Sequence, residues 1–260
     1  MNYIQWAHLP KVNDRLIKLY NVLIDIKKSE ILIQLEDYIC FPLVQIINDK
    51  KTSKQNIEMV LKCLTYIIEH VNCVLSVELF QNFLVASAKC ASQESNSEEL
   101  KYSAIHCILC LVKFYPNREE IILKNEDSFK KKNIADRNNL NSKLYKMVVP
   151  HIISICLDLA QKEKLLILRL EALEVLRYLV DLLNYNTIVK FVPGIISNLL
   201  KTCIESSNDN HRVLVNSLIV LDQVICKAFN DNINSRFLKR NDSLSWNDLQ
   251  NLYKDKNKKK

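Results

Sequence analysis

Apolar residues recur along most of this chain every three or four positions, the period of a helix with one buried face. Val12, Leu16, Leu19, Leu23 and Ile26 trace a first stripe after Pro10. A second follows Ser29 through Ile31, Leu35, Tyr38 and Ile39; Pro42 interrupts it, and it resumes through Leu43, Ile46 and Ile47. Ser53 opens a third through Ile57, Val60, Leu61, Leu64 and Ile68, and Ser76 a fourth through Leu79, Phe80, Phe83, Leu84 and Ala88. Ser97-Glu98-Glu99 reads as the next helix start, with a capping hydroxyl and acidic residues in the first turn. That helix buries Leu100, Ala104, Cys107, Ile108 and Leu111 and stops before Pro116.

Residues 125–142 break the rhythm. They are polar, lack a sustained apolar face, and read as an exposed loop between repeats. Three helices are expected beyond them, over 143–161, 164–184 and 187–205, and another carries Val213, Leu214, Leu218, Leu221, Val224 and Ile225. Within 164–183 the charges Arg169, Glu171, Glu174, Arg177 and Asp181 fall on one side of a helix and the leucines on the other. That is a buried amphipathic helix, and five charges make a membrane span costly.

The helices fall into pairs, an early proline-bearing helix followed by a strongly apolar one. Phe41-Pro42-Leu43, Val149-Pro150-His151 and Val192-Pro193-Gly194 hold similar places in three of them. Pro150 and Pro193 lie 43 residues apart, within the roughly 40–47-residue period of HEAT and armadillo repeats. The expectation is an all-α, HEAT/armadillo-type helical-repeat solenoid of about four helix pairs. The array spans 1–230, and 231–260 forms a polar, lysine-rich tail with one weak helix around Leu244, Trp246, Leu249 and Leu252.

Composition sharpens this picture. The 260 residues include one glycine, Gly194, and five prolines. Hairpins and bulges consume glycine, whereas helices can be capped without it. The same scarcity excludes phosphate-cradling loops and the nucleophile elbow, each of which needs at least two glycines. Nine cysteines, with no apolar targeting segment near Met1, read as reduced thiols packed as small hydrophobes. The formal charge of +7 owes much to Lys254, Lys256, Lys258, Lys259 and Lys260.

Several segments resemble a known family. Leu35, Tyr38, Phe41, Pro42 and Leu43 in LEDYICFPLVQII, then CLTYIIE at 63–69, EELKYSAIHCI at 98–108 and LAQKEKLLILRLEALEVL at 159–176, follow in order. Phe191, Pro193 and Gly194 in FVPGIISNLL and the later VNSLIVL complete the set. Together they resemble the larger Tti protein, the HEAT-repeat scaffold of the Triple-T (Tel–Tti–Tti) complex, over about residues 31–225. Members of that family are several times longer, so the expected match is to an N-terminal portion, and neither loop 125–142 nor the lysine tail has a recognised counterpart. The resemblance implies a co-chaperone scaffold that supports maturation and stability of phosphatidylinositol-3-kinase-related kinases such as mTOR, ATM and ATR. It implies as partners the Tel and second Tti subunits, those kinases, and indirectly the Hsp-ninety chaperone machinery. It implies a cytoplasmic location, with the nucleus as a second one.

Residue chemistry points to no catalytic, cofactor-binding or metal site. Cys107 and Cys110, with His106 beside them, are the best metal candidates, but no second C-x-x-C exists and four converging ligands are needed. Cys107 belongs on the core face, Cys110 at its edge, and His106 is expected to point elsewhere. His8, His70, His106, His151 and His211 show no zinc-binding pair spacing. Lys130, Lys131 and Lys132 read as a solvated loop. Pro42, Pro150 and Pro193 read as kinks, and Gly194 as a site of close helix approach or strain relief. The family-signature residues are read as structural, with partner-binding residues unassigned. Two other functions fit the repeat pattern: an importin- or armadillo-like transport adaptor and a nucleic-acid-binding repeat, the latter less favoured because the basic excess is small outside the tail.

Overall fold

A computed structural model describes residues 12–26, 35–70, 77–114, 134–183, 188–206 and 210–237. Nine α-helices occur among them: α1 Val12–Asp25, α2 Glu36–Asn48, α3 Lys54–His70, α4 Val77–Ser92, α5 Glu98–Phe114, α6 Ile134–Lys162, α7 Leu166–Leu182, α8 Val192–Ser206 and α9 His211–Phe237. No helix among the described residues is long and apolar enough to cross a membrane.

The contacts sort the helices into two layers. Odd-numbered helices pack in succession, α1 on α3, α3 on α5, α5 on α7 and α7 on α9. Even-numbered helices do the same, α2 on α4, α4 on α6 and α6 on α8. Four pairs, α2–α3, α4–α5, α6–α7 and α8–α9, join the layers. This is a helical-repeat solenoid, in which each pair obtains from its neighbours the apolar cover it cannot supply itself. Leu61, Leu64, Phe83, Ile105, Ile108, Ile152, Leu168 and Leu176 form part of one continuous core.

Local sequence accounts for several helix ends. The Ser53 hydroxyl accepts a bond from the Asn56 amide at the start of α3, and the Ser97 hydroxyl one from the Leu100 amide at the start of α5, both at 3.3 Å. Lys227 donates to the Val180 and Asp181 carbonyls at 2.6 Å each, so a cation closes the C-terminal turn of α7. The charges on α7 are partnered as they enter the packing. Arg169 donates to the Ala160 carbonyl at 2.7 Å and to Ser206 Oγ at 2.6 Å, tying α7 to α6 and α8. Arg177 pairs with Glu174.

Several expectations need correction. Pro42 does not interrupt its helix: α2 runs through it, as α6 runs through Pro150. Packing on the neighbouring repeats holds these helices together despite the backbone bond each proline forfeits. Pro193 lies in the first turn of α8, where a missing amide hydrogen costs nothing and no kink arises. A Cβ added at Gly194 would meet nothing within 4 Å, so no close helix approach requires glycine there. The expected loop 125–142 is helical from Ile134 onward; its part over 125–133 lies outside the described residues, as do Lys130–Lys132, His8 and the lysine tail. Helix α9 continues to Phe237, beyond the boundary expected at 230.

The described cysteines are free thiols, and all except Cys226 are buried. Burial pushes the Cys63 thiol up to about 12 and the Cys107 thiol up to about 11, which keeps both protonated and unreactive near neutrality.

Candidate functional groove on the odd-numbered layer

Side chains from α1, α3, α5 and the start of α7 line a cavity of about 510 Å³. Its walls come from helical spacing. Glu58, Lys62, Tyr66, Glu69 and His70 recur three or four apart on α3; Glu99, Tyr102, Ser103 and His106 do so on α5. Tyr20 closes the α1 side, and Leu165 and Ile167 the α7 side. The groove is therefore built from the layer in which consecutive odd helices lie side by side.

Rings dominate one component of the lining. Tyr20 meets Tyr66 edge-on at 6.3 Å between centroids. Tyr66 stacks on His70 at 4.2 Å, and Tyr102 on His106 at 5.7 Å. Because these pairs sit four residues apart on their helices, each ring is braced by the next turn. Carboxylates supply the other component. Glu58 pairs with Lys62 at 2.7 Å, while Glu69 and Glu99 add further negative charge to the lining.

At one end of the groove the polar contacts converge. His106 Nδ1 is hydrogen-bonded to Glu171 of α7. His106 Nε2 lies 3.8 Å from Glu69 Oε1, and the Cys110 thiol donates to the same oxygen at 3.2 Å. The bond to Glu171 raises the His106 pKa against the opposing effect of burial. Burial first, then the hydrogen bond and negative charge of Glu69, pushes the Cys110 thiol strongly upward. Tyr102 is also raised, by burial and then by the neighbouring carboxylates.

The sequence placed His106 away from Cys110, and this is overturned. The two residues are one helical turn apart and turn toward the same carboxylate. Cys107 does go to the core, fully buried. The signal in the sequence is the His-x-x-x-Cys spacing on α5, one helical turn, whereas the two positions of the C-x-x-C pattern straddle the core edge.

The family-signature residues do not gather at this groove. Leu43 is in the core, while Leu35 at the N-cap of α2 and Tyr38 and Phe41 within it are 42%, 76% and 47% exposed. Phe191 is half-buried against the core; Pro193 and Gly194 are exposed.

Comparison with known families bears on this architecture. Residues 7–260 match the family described as TTI1 N-terminal TPR domain. The chain belongs to the TTI1 family. The match spans more of the chain than the resemblance over 31–225 did, and it includes both the polar segment near 125–142 and the lysine tail. Membership in TTI1 implies partners within the Triple-T complex. Among curated proteins, none matches the chain.

Proposed function

We propose that this TTI1 domain is a protein-binding scaffold unit of the Triple-T co-chaperone, and that the odd-layer groove receives a segment of a Tel or second Tti subunit. Through that assembly it contributes to maturation and stability of the phosphatidylinositol-3-kinase-related kinases, mTOR, ATM and ATR among them, together with the Hsp-ninety machinery. The observation that carries the reading is the family match over residues 7–260. The groove adds the surface: braced rings offer apolar contact at low entropic cost, and Glu99 in its lining favours a partner segment bearing lysine or arginine.

Glu99 also weighs against nucleic acid on this face, since phosphates would meet like charge. A transport-adaptor role gains no support from any particular contact.

The experiment is co-expression of the tagged chain with Tel and the second Tti subunit, followed by affinity recovery. The wild-type chain is expected to retain at least one of them. A Y102A/E99R double variant with an unchanged far-ultraviolet spectrum is expected to lose it. Full retention by that variant moves the docking surface elsewhere, and failure of the wild-type chain to retain either subunit removes the scaffold role from this domain. Loss of the kinases on depletion in cells, restored by wild type but not by Y102A/E99R, tests the maturation role.

A further inference from the structure

We propose that Glu69, His106 and Cys110 form a binding site for one zinc ion, joining α3 to α5 at the edge of the groove. The inference stands independently of the Triple-T reading. One potential ligand atom from each of the three residues falls within a cluster no more than 4.8 Å across. Zinc bonds of about 2.0–2.3 Å place tetrahedral ligands roughly 3–4 Å from one another. The separations of 3.2 Å between Cys110 Sγ and Glu69 Oε1, and 3.8 Å between Glu69 Oε1 and His106 Nε2, already lie in that range.

The surroundings are those of a metal site. Glu171 holds His106 through Nδ1, which fixes the ring and directs Nε2 toward Glu69. A carboxylate on the far nitrogen is the usual second support of a zinc-bound histidine. The thiol of Cys110 points its hydrogen at Glu69, so a cation would take that proton's place between sulfur and oxygen, and the proton would leave to solvent. A thiolate, an imidazole and one carboxylate suit zinc, not magnesium or calcium. Glu69 and His106 also line the cavity, which leaves a fourth position for water. Zinc here would link α3 and α5 directly, and α7 through Glu171.

The test is a titration of the full 260-residue chain, reduced and stripped with a chelator, using cobalt(II) as the optical probe and zinc as competitor. Expected is one equivalent of cobalt with a thiolate-to-metal absorption band, displaced by zinc. The band should vanish in C110S and persist in C226S, which removes the exposed thiol. H106Q and E69Q should weaken binding by about tenfold or more, and E171Q by about 10–100-fold. Zinc should raise the thermal midpoint of wild type and leave that of C110S unchanged. Glu69 is on the surface, so E69Q tests the site in a folded chain even if C110S destabilises the core. No saturable binding, or a thiolate band that survives C110S, overturns the proposal and leaves a hydrogen-bonded cluster or adventitious binding at other thiols.

Discussion

Helices α5 and α9 hold equivalent places in the odd-numbered layer, yet their apolar residues meet different fates. From Ala104 to Val112 on α5 every apolar side chain is buried. On α9, Val215, Leu218, Ile219 and Ile225 are 40–49% exposed. The cause is position in the stack. Among the described residues, helix α5 lies between α3 and α7 and is backed by α4, whereas α9 packs on α7 and α8. In a solenoid, stability is approximately a sum over neighbours, so a helix with one same-layer neighbour buries one flank where an interior helix buries two. The apolar pattern in the sequence therefore reports that a surface seeks cover, and the stack decides where cover exists.

A series of substitutions tests this difference, each read by chemical denaturation. Ile108→Ala, at 0% exposure in α5, should cost about 2–5 kcal/mol through lost transfer energy and a residual cavity. Arg169→Ala should cost about 1–3 kcal/mol by stripping a partner from the Ala160 carbonyl and the buried Ser206 hydroxyl. Lys227→Met, which keeps the apolar stem and removes the cation from the end of α7, should cost about 1 kcal/mol. Leu218→Ala on the exposed flank of α9 should stay within about 0.5 kcal/mol. A Leu218→Ala cost matching that of Ile108→Ala would break the comparison. Hydrogen exchange sharpens it without mutation: α3 and α5 amides should exchange last, and α9 amides earlier.

The fold was largely legible because the clues were redundant. Helical periodicity, one glycine and the 43-residue proline spacing all point to stacked helix pairs, and the capping roles of Ser53 and Ser97 follow from residue type. What local pattern could not supply was context. Pro42 resembles a break until neighbouring helices hold both flanks in place. Residues 134–142 lack the apolar face that marks a helix, but they form the N-terminal part of α6. Gly194 looked like a packing requirement, although its surroundings are open.

The candidate groove was less legible than the fold. Tyr66, His70, Tyr102 and His106 appear in the sequence as scattered polar-aromatic residues on two helices, and only the lateral packing of α3 on α5 sets them along one cavity. Glu69 and Glu171 come from different helices than His106, so no spacing rule on α5 could reveal their convergence. The exposed Tyr38 illustrates the opposite limit. Family resemblance singled it out and suggested structure, while the α2 surface leaves it 76% accessible.

The distribution of proline has a mechanical consequence. Pro42 and Pro150 each delete one rung of backbone bonding, and both lie in the even-numbered layer. The odd-numbered helices are proline-free in their described spans. The array therefore has a compliant side and a stiff side, like a strip laminated from two materials. Under load it should bend by opening and closing the even-numbered helices, while the spacing of rings along α1, α3 and α5 stays nearly constant.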